Sequence, residues 1–454
     1  MEKLFGTDGV RGLANTELTP ELTMQIGRAG AYALAGHLGR PAKILIGTDT
    51  RQSSDMLEAA LIAGLCSVGA EVHRAKAIPS PAMSHLVRLY KMDAGVMLSA
   101  SHNHMPDNGI KFFDDQGYKL SDKVEVEIEE LIKQDEKLAK IPRPTGAKVG
   151  RSQFRKEESV AHYVEFLAGT MGGDKPFAGM KIGLDCANGA CYLAAPLVFE
   201  KLGAEIYPIH YKPDGENINE NCGSTHLKSL QEHVKANKLD IGLAFDGDGD
   251  RVLGVDDTGA ELDGDAIMAI CAFTLKKQGK LKNNTIVATV MSNMGLELFC
   301  KKEGIQLCRT KVGDRYVIQE MKSGGYNLGG EQSGHIIYHD YNTVGDGILT
   351  GLLLLDSIKK SGQKLSDLRK IIKALPQVLL GAKLKKRVVK DVRENEKINQ
   401  AIKEVEAKLE GTGRVLVRPS GTEPLIRVMI EGPDEAVITK MAEDLVKVIS
   451  SELE

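Results

Sequence analysis

One pattern occurs three times along this chain and limits what it can fold into. Residues 43–47 form an apolar, strand-like run. A polar loop, an apolar helix-like stretch and a second short strand at 69–72 follow it. The same order returns at 181–185 with 203–206, and at 285–290 with 304–307. Each copy reads as a strand, a turn bearing glycine or asparagine, a helix closed by glycine, and another strand. That is the βαβ pattern, and it implies a mainly parallel sheet. Three copies predict three related α/β domains with mixed or parallel sheets, and 454 residues agree with a prior of ~150 residues per domain. Glycine, 48 of 454 residues, exceeds the ~7 % average, as many tight strand-to-helix turns require.

Punctuation places the domains at 1–150, 151–254 and 255–370, with a smaller α+β unit at 371–454. Thr19-Pro20 reads as a helix cap and first turn. A charged helix over 121–140 closes the first domain, and the proline-bearing stretch 141–146 is a linker. A glycine- and proline-bearing break at 172–176 opens the second sheet, and the third domain starts within 254–264. The apolar run 348–355 is expected to precede a helix, and the basic run 383–387 marks the last unit. That unit has strands near 414–417 and 426–430 and a final amphipathic helix over 434–450.

A net charge of −3 gives no electrostatic case for nucleic acid or an anionic membrane. The longest apolar run, 347–355, is too short to cross a bilayer. The seven cysteines include no Cys-x-x-Cys pair and read as reduced thiols. No signal-peptide core follows Met1-Glu2-Lys3. These features together predict a cytoplasmic location.

The densest chemistry lies at 240–251, where an apolar run ends in Asp246-Gly247-Asp248-Gly249-Asp250-Arg251. Glycine lets the backbone curl, so alternate carboxylates converge on one point. Two unit charges ~4 Å apart cost about 4 kcal/mol at an effective dielectric of ~20. Three such pairs would consume most of a domain's ~5–15 kcal/mol of stability. A hard divalent cation removes that cost, and oxygen-only ligands suit Mg²⁺ or Ca²⁺. The calcium-loop register fails, because Arg251 and Asp257 fall where an EF-hand needs glycine and glutamate. An acidic surface turn is the plainer alternative.

Four further loops carry polar side chains. Residues 99–111 follow a strand at 95–98 and hold Ser101, His102, His104 and Lys111. A serine there needs a base or a metal to act as a nucleophile, and the Gly-x-Ser-x-Gly elbow is absent. Residues 329–335 hold Glu331, Gln332, Ser333 and His335, a set able to grip vicinal sugar hydroxyls or to form a plain turn. Residues 418–424, with Arg427 beyond, combine two arginines, two hydroxyls and loop amides suited to a phosphate dianion. Residues 311–315 add Lys311 and Arg315.

Together with the opening run 5–11, these loops resemble, in order and over essentially the whole chain, the α-D-phosphohexomutase family. The resemblance implies four domains around a central cleft. It implies that Ser101 is carried as phosphoserine beside one Mg²⁺ held by Ser101, Asp246, Asp248 and Asp250. Ser101, Lys111, Arg251 and His335 form the implied catalytic set, with Lys111 and His335 as the two candidates for proton transfer. The implied substrate contacts are Thr7, Arg11, Arg315, Glu331, Ser333, Arg418, Ser420, Gly421, Thr422 and Arg427. Gln332 and the opening run look most like the branch that interconverts glucosamine 6-phosphate and glucosamine 1-phosphate through a bisphosphorylated sugar, which also serves as activator. That step supplies UDP-N-acetylglucosamine. The mannose- and glucose-phosphate branches use the same machinery and are the alternative. The implied partner is a small sugar phosphate, with neither nucleic acid nor membrane, and a homodimer is compatible with the family. One departure stands out: the family usually has proline directly after Ser-His-Asn, whereas here position 104 is histidine and the proline is Pro106.

Overall fold

In the computed structural model the described residues are 4–6, 8–36, 38–384, 392–409, 411–419 and 424–453. They form two compact units, residues 1–291 with 306–370, and residues 292–305 with 371–454. All three predicted βαβ copies are present as parallel strand pairs joined by a helix.

The first unit contains three mixed sheets. The first comprises β1 (Val10–Leu13), β2 (Lys43–Thr48), β3 (Glu71–Ala77), β4 (Ala94–Leu98), β5 (Asp107–Phe113) and β6 (Arg151–Phe154), in the order β1-β5-β4-β2-β3-β6. Ile44, Ile46, Val96 and Leu98 point into its core, where Ile26, Leu57 and Leu61 of the covering helices meet them. The helix Pro20–Ala35 starts where the sequence indicates, with the Thr19 hydroxyl accepting the Leu22 N–H at 3.2 Å. The expected helix over 121–140 is instead two helices, Asp122–Lys133 and Asp135–Lys140. Between them Gln134 takes an extended backbone (φ −113°, ψ 92°), and its carbonyl starts the second helix by accepting the Lys137 and Leu138 N–H groups. The break re-aims the chain so that Leu138 and Ile141 reach the first core.

The expected boundary at 150 falls short of β6, which pairs in parallel with β3. All four residues of β6 are exposed, so no apolar pattern marks it as a strand. The second sheet holds β7 (Lys181–Asp185), β8 (Glu205–Ile209), β9 (Ile241–Phe245), β10 (Val252–Asp256) and β11 (Glu261–Leu262), in the order β11-β10-β9-β7-β8. The boundary at 254 cuts β10, because the aspartate turn is the loop of a β9–β10 hairpin and not a domain edge.

The third sheet comprises β12 (Thr285–Thr289), β13 (Gln306–Thr310), β14 (Leu328–Gly330) and β15 (Ile336–Tyr338), in the order β13-β12-β14-β15. The apolar run 348–355, expected to precede a helix, is itself helical within Gly347–Ser361. Ile348, Leu349, Leu352, Leu354 and Leu355 are all buried, and a helix enclosed on nearly every side shows no 3.6-residue stripe.

The second unit carries an antiparallel sheet of β16 (Gln377–Lys383), β17 (Arg414–Pro419) and β18 (Leu425–Glu431), in the order β16-β18-β17. Ile398 and Ile402 of Glu396–Leu409, and Ala442 and Leu445 of Glu435–Leu453, cover Val428 and Ile430. All seven cysteines are free thiols. Among the described residues no helix is long and apolar enough to cross a membrane.

Candidate active site

Ser101 lies just past the C-terminal end of β4, in the loop that returns to β5. It is buried, and its φ of +53° is left-handed, a conformation that costs a non-glycine residue ~1–2 kcal/mol. That geometry turns Oγ toward the second sheet, where it donates to Asp246 Oδ2 at 2.6 Å. Nδ1 of His102 is 3.3 Å from the same oxygen.

The aspartate turn is shaped by close backbone approach. A Cβ on Gly247 would lie 2.5 Å from the Ser101 carbonyl oxygen, and one on Gly249 would lie 2.3 Å from Cys191 Sγ. Asp246, Asp248 and Asp250 are all buried, with ligand oxygens within 4.8 Å of one another. Burial, then Asp250 and Asp248, push the Asp246 carboxyl well above its ordinary value. Burial acts to raise Asp250 too, but His335 and Lys111 outweigh it and hold Asp250 well below the usual range. Oδ1 of Asp248 and Oδ1 of Asp250 are buried without a hydrogen-bond partner among the described residues. Hard oxygens, excess negative charge and two unsatisfied acceptors fit a divalent cation. A second acidic cluster, Asp185, His210 and Cys222, differs in kind. Asp185 accepts the Ala187 and Gly223 N–H groups at 2.9 Å each and so closes two turns.

Cationic groups surround the aspartates. Lys111 Nζ lies 2.8 Å from Asp248 Oδ2 and 2.9 Å from Asp8 Oδ2. Burial acts to lower its basicity, but Asp248 and Asp8 outweigh burial and raise it. His335 Nδ1 faces Asp250 Oδ2 at 3.5 Å, while Nε2 accepts the Gly345 N–H at 3.1 Å, so the ring proton sits on Nδ1. Arg251 follows the turn, its backbone N–H donating to Asp246 Oδ1 at 3.1 Å. Ser80 Oγ donates to Asp248 Oδ2 at 2.6 Å.

Several partners escaped the sequence reading. Asp8 pairs with Arg11, Lys111 and Lys119, and Lys119 also pairs with Asp314. Asp8 and Asp314 lie inside runs already singled out, whereas Lys119 lies in none. A cavity of about 750 Å³ opens here, with Tyr118, Lys119, Asp314, Arg315 and His335 in its wall. Arg315 turns to Asp122 and Glu125 of the helix Asp122–Lys133.

Glu331 is half-buried and accepts the Gly313 N–H at 3.2 Å, and Ser333 is exposed. Gln332 donates to Asp263, the N-cap of the helix Gly264–Lys277, at 3.1 Å. His104 is exposed. In the second unit Arg418 and Arg427 are direct cross-strand partners on β17 and β18. Like charges opposite one another destabilise a sheet, and a bound anion would offset that. Burial, then Arg427, lowers the basicity of Arg418. Thr7, Ser420, Gly421 and Thr422, and residues 385–387 of the basic run, lie outside the described residues.

Comparison with known proteins identifies the family. Family models described as phosphoglucomutase/phosphomannomutase alpha/beta/alpha domains I, II and III match residues 2–139, 161–259 and 263–375. The C-terminal domain model of the same family matches residues 382–448. The chain is 54 % identical over 453 residues to the phosphoglucosamine mutase of Ruminiclostridium cellulolyticum, covering 100 % of both chains. It is 55 % identical over 455 residues to that of Caldanaerobacter subterraneus, again covering 100 % of both. A phosphoglucomutase/phosphomannomutase family protein from Burkholderia thailandensis has the same fold, with a TM-score of 0.80 at 22 % identity over 99 % of this chain and 98 % of that one. Aspergillus fumigatus N-acetylphosphoglucosamine mutase, solved with GlcNAc-6P and magnesium, gives a TM-score of 0.67 at 18 % identity over 96 % of this chain and 100 % of that one. Four successive domain models in one order, and relatives more than half identical from end to end, make this chain a member of the phosphoglucomutase/phosphomannomutase family of phosphohexomutases.

Proposed function

We propose that this chain interconverts glucosamine 6-phosphate and glucosamine 1-phosphate, with Ser101 as the residue that carries and returns a phosphoryl group. The observation that carries this reading is the 2.6 Å contact between Ser101 Oγ and Asp246, inside a buried cluster of three carboxylates. The names of the full-length relatives support the choice of sugar.

In the first half-reaction the bond from phosphorus to Ser101 Oγ breaks, a bond from phosphorus to a sugar oxygen forms, and the sugar hydroxyl gives up its proton. In the second half-reaction the other phosphate of the bisphosphorylated sugar returns to Ser101. Phosphoryl transfer asks mainly for positioning and charge support. One Mg²⁺, held by Ser101, Asp246, Asp248 and Asp250, would neutralise charge developing on the transferred group and the serine oxygen. Lys111, kept charged by Asp248 and Asp8, serves as a fixed positive donor. His335 takes the hydroxyl proton at Nε2, where the sugar hydroxyl replaces the Gly345 N–H, and gives it back. Arg251, Arg11 and Arg315 add positive charge, and Glu331 with Ser333 holds the sugar hydroxyls. Arg418 and Arg427, with Ser420, Gly421 and Thr422, bind the distal phosphate, and Thr7 is a further substrate contact.

Side-by-side assays of glucosamine, N-acetylglucosamine, glucose and mannose 6-phosphates test the sugar. The highest kcat/KM is expected for glucosamine 6-phosphate, and a higher value for mannose or glucose phosphate would overturn the assignment. His335→Gln should lower kcat ~10²-fold with little change in KM, measured by initial rates. An unchanged kcat would return the proton transfer to Lys111. Arg418→Ala should raise KM for the sugar phosphate by ~10²-fold, the scale of a lost charged hydrogen-bond pair. The Mg²⁺ concentration for half-maximal rate should stay the same, and parallel loss of both would remove Arg418 from the phosphate site.

A further inference from the structure

We infer that Arg51, opposed by Asn219, is the positioning residue that fixes the Ser101 loop in its reactive conformation. The inference rests on the phosphoserine reading above. Arg51 lies in no functional run of the sequence, yet its side chain is 0 % exposed and its guanidinium is spent entirely on this loop and on Asp49. Nη2 donates to the carbonyl oxygens of Ser101 at 3.1 Å and Asn103 at 2.8 Å. Nη1 donates to the carbonyls of His104 and of Asp107, the latter at 3.0 Å. Nε donates to Asp49 Oδ2 at 2.8 Å. Asp49 Oδ2 also accepts the Ser99 hydroxyl at 2.6 Å, and Ser99 Oγ in turn accepts the Ser101 N–H at 2.9 Å. From the second sheet's side, Asn219 Nδ2 donates to the same two carbonyls, Ser101 at 2.9 Å and Asn103 at 3.0 Å.

Both backbone groups of Ser101 are therefore held, its carbonyl from two sides and its N–H through Ser99. A serine at φ +53° persists only where its surroundings over-determine it. The planar fork of arginine supplies five donors in fixed directions, and no other side chain can serve four converging carbonyls and a carboxylate at once. This also accounts for the tolerance of histidine at 104. The loop takes its rigidity from donors to its carbonyls, so a proline ring at that position is dispensable.

Arg51→Lys tests the role, because lysine keeps the charge beside Asp49 but loses the fork. Expected is a ~10²-fold fall in kcat, the cost of roughly an ångström of misplacement, with KM for glucosamine 6-phosphate within about threefold and a melting midpoint within ~5 °C of wild type. Asn219→Ala, which removes the donor to the Ser101 and Asn103 carbonyls and leaves the buried ion pair untouched, should lower kcat about tenfold through looser placement of Ser101. Single-turnover transfer of phosphate from phosphorylated enzyme to glucosamine 6-phosphate should slow by the same factors. A folded Arg51→Lys with kcat within threefold of wild type overturns the proposal. If that variant does not fold, Asn219→Ala with wild-type transfer overturns it instead. Ser101→Ala is assayed alongside: activity in that variant overturns the phosphoserine reading, whereas an inactive Ser101→Ala beside normal Arg51 and Asn219 variants overturns the clamp alone.

Discussion

Replacing Ser101 by alanine is expected to lower turnover by ~10⁴-fold or more, the scale on which removal of a nucleophile acts, while leaving the fold intact. The two parts of this expectation rest on different features. Alanine has the same backbone preferences as serine near φ +53°, and the Arg51 and Asn219 donors and the Ser99 hydroxyl acceptor reach the backbone of residue 101 and not its side chain. The loop should therefore keep its path, losing one hydrogen bond to Asp246. Chemistry has no such reserve. Among the described residues Ser80 is the other hydroxyl on the aspartates, but its N–H is bound to the Asp248 carbonyl and its Oγ to the Asp248 carboxylate. It is tethered as the first residue of a helix with no loop to present it. Ser80→Ala should consequently lose far less activity than Ser101→Ala. Intact-mass and peptide mass spectrometry should find one phosphoryl group on the wild-type peptide containing Ser101 and none on the alanine variant. Near-wild-type rates in Ser101→Ala, or a phosphoryl group on Ser80, would end the proposed mechanism.

What the sequence disclosed followed from how locally each feature is encoded. The three βαβ copies are legible because a crossover helix between parallel strands imposes its periods and its closing glycine within one short segment. The aspartate turn is legible for the same reason, since its three carboxylates come from five consecutive residues. Strand β6 has neither advantage: it is four residues long, fully exposed, and defined only by pairing with β3. Burial hid the helix Gly347–Ser361, because surrounding it with apolar neighbours erased the stripe that marks a helix. Arg51 and Lys119 reach the site through partners dozens of residues or more away, and so does Asp8 in its contact with Lys111, and nothing around them in sequence announces those encounters. His104 illustrates the converse. The departure from the family pattern is local and visible in the sequence, while the donors that hold the loop come from residues 51 and 219.

Asp246→Asn should separate the two consequences of the carboxylate cluster, which point in opposite directions. Without a cation, Asp246 is buried against Asp248 and Asp250, and its carboxyl is pushed well above its ordinary value. A group whose folded-state value is raised in this way costs stability when ionised, and the cost grows as pH rises through the unfolded value of ~3.9 and beyond. Removing that charge should therefore raise the melting midpoint measured in EDTA at pH 7 to 8, with the gain shrinking toward pH 4. In the wild type, Mg²⁺ at ~100 times its Kd should contribute about 2.7 kcal/mol, a rise of roughly 3–5 °C for a unit of this size. The asparagine variant should lose most of that Mg²⁺-dependent rise, because one of the anionic ligands is gone. Turnover should fall to the level of the EDTA-treated wild type, which should itself be essentially inactive and recover when Mg²⁺ is restored. Melting curves with and without Mg²⁺, read beside initial rates, decide the matter. A variant that melts lower than wild type in EDTA would show that the three carboxylates do not repel one another. A variant that keeps both the full Mg²⁺ shift and the activity would show that the cation is held elsewhere.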